Sequence, residues 1–219
     1  MSTPFTNIYS RAINEFNDPF ITSTYGNTIT FFQTMFGYLN NCIPEFIIPE
    51  IIIPKLQDIT SPSGQTELFN GDGINTNFIL TTIPVTGSYF VYTVSGVVVT
   101  GTYNSGTNSV ILDIAPAIGT NNVSIQWYYP GQFNQTLISR EERILSMLWV
   151  VNWAEKEKNH LLDIRRLLND TDFRLTAEAP TMNAKGNWYI TMREEATAAM
   201  KQYSWSLYQQ TLKTKYGLS

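Results

Sequence analysis

The side chains that could carry acid–base chemistry are concentrated in one stretch, FNQTLISREERILSMLWVVNWAEKEKNHLL, which covers residues 133–162. It contains the adjacent pair Glu141 and Glu142 and the chain's single histidine, His160. Two carboxylates could divide acid and base roles between them if both reached one substrate. Neighbouring residues on a helix point about 100° apart, so Glu141 and Glu142 do not converge. Their place at a predicted helix start indicates stabilisation by the helix dipole instead.

One histidine and one cysteine leave little room for other catalytic or metal-binding chemistry. His160 cannot form a multi-histidine metal site, and Glu157 and Asp163 at i±3 favour its charged form on a solvated or packed helix. Cys42 cannot belong to a disulfide framework, which fits a reducing compartment, and we interpret it as a small apolar helix residue. Residues 71–73, Gly-Asp-Gly, lack the lysine of a phosphate loop and the spaced acids of a calcium loop, so they predict a turn. We expect no enzyme, with no catalytic residue, cofactor or metal.

The composition favours an ordered protein whose surface is partly covered by partners. Hydrophobic residues make up 43% of the chain and charged residues only 15%. The net charge of −4 gives no general attraction to nucleic acid. Of the 14 basic residues, only Arg11 and Lys55 precede Ser139, which indicates two regions built differently. The run ILSMLWVVNWA is far shorter than the roughly 20 residues that span a bilayer, so we expect no membrane partner.

The periodicity of the chain predicts helices at both ends and strands in the middle. Apolar spacing predicts helices over about 4–16, 28–43, 139–168 and 182–215. Between about 64 and 131, β-branched and aromatic runs separated by Gly, Pro and Asn predict at least five strands. The order predicts an α+β fold, in which a discontinuous α-helical bundle domain (1–60 and 133–219) is interrupted by an inserted small antiparallel β-sandwich or barrel (61–132).

Three local patterns refine this expectation. Ser139 and Glu142 have the spacing of a capping box at the start of the third long helix. Ser95-Gly96 lies between two strand-like runs and predicts a tight hairpin. The alternation in the β region predicts that one of two sets of side chains is buried. The second set consists of the opposite-phase neighbours of the first. The first set is Phe78, Leu80, Phe90, Tyr92, Val110, Leu112, Val123 and Ile125.

The third long helix is apolar almost all round between residues 144 and 154. An ordinary surface helix keeps one apolar stripe, whereas a helix of this kind must be buried on several sides. About four helices in one chain would hardly suffice, so we expect a second copy or another partner to cover part of it. The candidate interface residues are Ile144, Leu145, Leu148, Trp149, Val151 and Trp153.

Both helical ends carry segments that resemble the head-to-tail connector proteins of tailed bacteriophages. The segments are IYSRAINEF (8–16), NNCIPEF (40–46), FNQTLISREERILSMLWVVNW (133–153), LLNDTDFRL (167–175) and YSW (203–205). The family pattern is a Phe-Asn pair, a leucine, a glutamate pair that opens a long helix, a tryptophan, and a downstream Asp-Phe element. The matching positions here are Phe133, Asn134, Leu137, Glu141, Glu142, Trp153, Asp172 and Phe173.

The resemblance implies a structural virion protein without enzymatic activity. Such proteins form a ring, commonly of twelve copies, that binds the portal protein and offers a docking surface to further neck or tail proteins. DNA would pass nearby without sequence-specific binding, and the location would be the neck of the virion, after assembly in the host cytoplasm. Simpler members lack the β region of 61–132, whose contact remains open: a neighbouring subunit, the next ring, or the outside of the particle.

The alternative function is a virion β module that binds a host surface glycan or decorates the particle. It would depend on aromatic residues of the β region as stacking platforms for sugars. The candidates are Tyr89, Tyr92, Tyr103, Trp127, Tyr128 and Tyr129. Aromatic residues of a sheet are more often core, so the connector is the leading hypothesis.

Overall fold

A computed structural model of the protein describes residues 2–16, 28–169 and 179–216, with side chains over 2–14, 29–156, 159 and 187–216. The described chain combines α-helices with three small antiparallel sheets, which confirms the predicted α+β class. The helices are α1 (Phe5–Phe16), α2 (Thr28–Cys42), α3 (Ile53–Gln57), α4 (Ser139–Asn169) and α5 (Ala179–Tyr216). Short 3-10 turns occupy Ile43–Glu45 and Glu50–Ile52.

The strands are numbered in chain order. They are β1 (Thr3–Pro4), β2 (Ile59–Thr60), β3 (Ser63–Gly71), β4 (Asn77–Ile79), β5 (Tyr89–Val94), β6 (Val97–Val99), β7 (Gly101–Asn104), β8 (Ser109–Leu112), β9 (Gly119–Tyr129) and β10 (Gln132–Phe133). The strand orders in the three sheets are β1-β10-β2, β3-β9-β5-β6 and β4-β8-β7.

The chain divides into two compact units. The helical unit comprises Met1–Ile21, Thr34–Thr60 and Gln132–Ser219, and the β unit comprises Thr22–Gln33 and Ser61–Gly131. The first part of α2 therefore belongs with the β unit, whereas the sequence placed it in the helical domain. The reason is aromatic packing: the ring of Phe32 stacks on Tyr128 at 6.0 Å and lies 4.5 Å from the ring of Tyr89.

The β unit has one apolar cluster, to which strands of both of its sheets contribute. Of the eight residues in the first predicted set, seven are buried, and Phe90 packs against them as a partly buried ring. Trp127 completes the cluster. The predicted hairpin at Ser95-Gly96 is confirmed, since Val94 pairs with Val97 and both turn residues have positive φ, 51° and 81°. Closure of these sheets into a sandwich or barrel stays a prediction.

In the helical unit, a small sheet joins distant parts of the chain. In the sheet β1-β10-β2, Phe133 of β10 pairs with Thr3 on one side and Ile59 on the other. The Phe133 ring is fully buried and meets the ring of Phe5 edge-on at 4.8 Å. The hydroxyl of Thr3 accepts a hydrogen bond from the backbone N–H of Leu137 at 2.8 Å. This sheet therefore fixes the start of α1 beside the segment that leads into α4.

Candidate functional site

The predicted interface on α4 lies in the interior of the helical unit. Five of its six residues, Ile144, Leu145, Leu148, Trp149 and Val151, are 0–3% exposed, and only Trp153 is partly exposed. The expectation that a partner covers part of this stretch is therefore wrong for these five residues, which the chain covers itself, and it stays a prediction for Trp153.

Three other helices supply that cover. Within the chain, helix α4 packs against α1 and α5. From α2, the backbone oxygen of Met35 accepts the indole N–H of Trp149 at 2.9 Å, and the ring of Tyr38 meets Trp149 edge-on at 5.1 Å. Near the end of the apolar stretch, Val151 forms a buried cluster with Tyr189 of α5. The small number of helices in the chain suggested that α4 could not be buried within it. Helix α5, however, is 38 residues long and offers α4 an extended face.

Glu141 is the centre of a buried polar cluster at the start of α4. Its side chain is about 1% exposed and lies 3.1 Å from the Lys55 ammonium of α3. The hydroxyl of Tyr203 on α5 donates to Glu141 Oε1 at 2.6 Å, and the backbone N–H of Ile138 donates to Oε2 at 2.8 Å. Burial, followed by the hydrogen bond to Glu141, raises the pKa of Tyr203 above its ordinary value. One carboxylate thus connects α3, α4 and α5.

Glu142 makes the equivalent connection to α1. Arg11 of α1 lies 2.9 Å from Glu142 Oε2, and Asn7 donates to Oε1 at 3.3 Å. Arg11 also donates to the hydroxyl of Ser139 at 3.1 Å. The glutamate contact of the predicted capping box is shifted by one residue. Glu141, and not Glu142, accepts the backbone N–H of Ile138, which precedes the helix.

The other residues of the connector-like pattern also hold the helical unit together. Asn134 donates to the Asp58 carboxylate at 2.8 Å and accepts from the hydroxyl of Thr60 at 2.6 Å. Leu137 is buried. Asp172 and Phe173 lie outside the described residues. In the described part of the chain, the pattern therefore marks structural contacts of the fold.

Of the groups considered for catalysis, Cys42 and Asp72 make contacts that stabilise the fold, and the side chain of His160 is not described. Cys42 is fully buried, 3.2 Å from the backbone oxygen of Leu39, and burial raises the pKa of its thiol. Asp72 accepts the backbone N–H groups of Asn75 and Ile74, at 2.6 and 2.9 Å, which lower its pKa and form the predicted turn. His160 lies on α4, but its side chain is not among those described.

Across the described residues, no group of three His, Cys, Asp or Glu side chains could hold a metal ion. In the same part of the chain, every helix is too short or too polar to cross a bilayer.

The aromatic residues proposed for glycan stacking are mostly core. Tyr92, Trp127, Tyr128 and Tyr129 are buried and Tyr103 is partly buried, so only Tyr89 has an exposed ring. A sugar platform needs accessible ring faces, and Tyr89 alone does not provide several of them. Burial also raises the pKa of Tyr92 to about 12.

Two exposed apolar surfaces of the helical unit were missed by the sequence analysis. We call the first the aromatic stripe: Trp205, Tyr208 and Tyr216 on α5, each more than half exposed, together with the partly exposed Leu212. The second is the isoleucine loop: Ile47, Ile48 and Ile51, between α2 and α3. Spacings of three and four residues between the members of the stripe could have revealed the first. In the second, Pro49 and Pro54 exclude a long helix, but they do not indicate whether the isoleucines beside them are exposed.

No family model, curated protein or solved structure matches this chain.

Proposed function

We propose that the protein is a non-catalytic structural subunit of a ring in the neck of a tailed bacteriophage, where it joins the portal to the tail. The observation that carries the proposal is the cluster around Glu141 and Glu142. The paired glutamates of the connector-like pattern are buried, and their contacts tie α1, α3 and α5 to the start of α4. A pattern that specifies the central contacts of a fold supports a shared architecture better than one scattered over the surface.

The chemistry of these glutamates also supports a structural role. A catalytic carboxylate has to face a substrate, whereas Glu141 is enclosed by Lys55, Tyr203 and the backbone of Ile138. Glu142 is paired with Arg11 in the same way. Each carboxylate is thus paired with side chains of neighbouring helices.

The charge of the chain suits a ring around DNA. A net charge of −4 gives little general attraction to phosphates, and weak attraction lets DNA slide through a channel. The ring would contain twelve copies, bind the portal protein on one side and further neck or tail proteins on the other. It would assemble in the host cytoplasm and remain in the virion neck.

The β unit is an addition to this adaptor, and its partner is a neighbouring subunit, the next ring or the particle exterior. The glycan-binding alternative is not proposed, because four of its six aromatic rings are buried.

Electron microscopy of the purified protein, alone and mixed with the portal of the same phage, tests the proposal. We expect rings of uniform diameter, either free or seated on the portal. A protein that remains a monomer under both conditions would contradict the proposal.

A further inference from the structure

Helix α5 has two apolar faces on opposite sides. Ala196, Met200 and Tyr203 are buried on one side, where α5 packs against α4. At 3.6 residues per turn, the members of the aromatic stripe lie about 180° away, within an arc of about 100°. A second apolar face with this exposure is typical of a binding surface.

The isoleucine loop is held firmly despite its exposure. Phe46 and Ile52, which bracket the three isoleucines, are 1% and 0% exposed and so anchor both ends. Pro49 and Pro54 restrict the backbone between and after them. A rigid apolar loop loses little conformational entropy when a partner covers it.

The two surfaces carry opposite charges. Between Ala196 and Tyr216, α5 has no acidic residue and three lysines, of which Lys201 falls in the arc of the stripe and Lys215 lies beside its edge. The segment 43–58 contains the acids Glu45, Glu50 and Asp58. Its one lysine, Lys55, is paired with Glu141. The loop is therefore acidic and the stripe is basic.

We propose that the aromatic stripe of one copy binds the isoleucine loop of the next copy. The proposal rests on the ring function above, and it names the surfaces that form the ring. Two different patches on each copy make a head-to-tail contact, and such contacts repeat from copy to copy until a ring closes. Charge complementarity favours this pairing over stripe against stripe, which would place lysines of both copies together.

The size of the stripe sets the strength of the contact. A fully covered aromatic side chain buries roughly 150–250 Å², so three rings that are more than half exposed offer roughly 300–400 Å². Stable pairs bury about 800 Å² on each partner. A single contact between the stripe and the loop is weak by itself, so copies assemble at high concentration or when a portal aligns them.

Cross-linking between two full-length variants tests the contact. One variant carries Tyr208→Cys in the stripe, and the other carries Ile51→Cys in the loop. A flexible bismaleimide is added to the mixture, because it joins thiols without requiring disulfide geometry. The native Cys42 is fully buried and does not compete. We expect a mixed dimer, identified by its intact mass, from the two variants together.

Matched controls decide between the possible occupants of the stripe. Thr214→Cys, exposed on the opposite side of α5, and Val98→Cys, exposed on the β unit, should give no mixed dimer with the corresponding partner variant. Dimers of Tyr208→Cys with itself would show stripe against stripe and overturn the proposal. Cross-linking of Tyr208→Cys to an added portal, without any mixed dimer, would assign the stripe to the portal and also overturn it.

The result also separates this contact from the ring function. Rings of wild-type protein without a mixed dimer would overturn the contact and leave the proposed function standing. A mixed dimer without rings on the portal would support the contact and contradict the function. Neither rings nor a mixed dimer would contradict both.

Discussion

The hydroxyl of Tyr203 on α5 donates to the buried carboxylate of Glu141 on α4 over 2.6 Å, across 62 positions of the sequence. The same carboxylate holds Lys55 and the backbone N–H of Ile138. A buried charge needs this degree of satisfaction, because an unpaired ion in a protein interior is strongly destabilising. The cluster therefore fixes how the two long helices are packed at the start of α4.

Replacing Glu141 should destabilise the helical unit strongly. Glu141→Ala leaves Lys55, Tyr203 and the Ile138 N–H without their acceptor. We expect a loss of about 3 kcal/mol in the free energy of unfolding, the lower end for a broken buried pair, since Lys55 is one third exposed. Chemical denaturation measures it. The exposed Glu195→Ala on α5 is the control and should change stability by less than about 0.5 kcal/mol. Equal stability of both variants would refute the structural role of Glu141.

Replacing Tyr203 should change the dependence of stability on pH. Its pKa is raised in the folded state, so its contribution is fully present below the unfolded value near 10 and is lost as pH rises above it. Tyr203→Phe removes a hydrogen bond to a charged group, which should cost about 1.5–3 kcal/mol near pH 8. The difference from wild type should shrink above pH 10, as measured by denaturation at a series of pH values. A constant difference up to pH 12 would be inconsistent with this assignment.

The apolar middle of α4 should behave as core rather than as interface. Leu145→Ala removes a side chain that is 0% exposed and should cost about 2–5 kcal/mol. Ile51→Ala, at a residue 70% exposed, should stay within about 0.5 kcal/mol in the same denaturation experiment. The opposite ranking, with Leu145→Ala neutral in the monomer, would restore the earlier idea that a partner covers this stretch.

The native protein should be unreactive towards thiol reagents. Cys42 is buried, and its raised pKa keeps it in the thiol form, whereas thiol reagents attack the thiolate. At pH 8 we expect no labelling by a maleimide in the folded state and one label per chain in denaturant, counted by intact mass. Rapid labelling of the folded protein would show that the packing around Cys42 opens easily.

Much of the fold followed from local patterns. The predicted helix over 28–43 agrees with α2 at Thr28–Cys42, and the hairpin at Ser95-Gly96 was set by residues that adopt positive φ. Strand β3 was not predicted, because SGQTELFNG lacks a clear apolar alternation and is mostly exposed; its pairing along β9 defines it as a strand. Such pairing between distant segments leaves no local signature.

The site was harder to predict because its contacts are distant in the chain. The sequence indicated that Glu141 and Glu142 open a helix, but not that they connect to Lys55 and Arg11, 86 and 131 positions earlier. It also could not show that α5 covers the apolar middle of α4. The spacing of the stripe on α5 is visible in the sequence, but the sequence does not distinguish this exposed face from the buried face of the same helix.

Native mass spectrometry of the full chain, with and without its portal, tests the central claim most directly. The account predicts a closed species of about twelve copies of the 24.9 kDa chain, free or bound to the portal. The Glu195→Ala control should form the same species. A chain that stays monomeric at high concentration and in the presence of the portal would contradict the account.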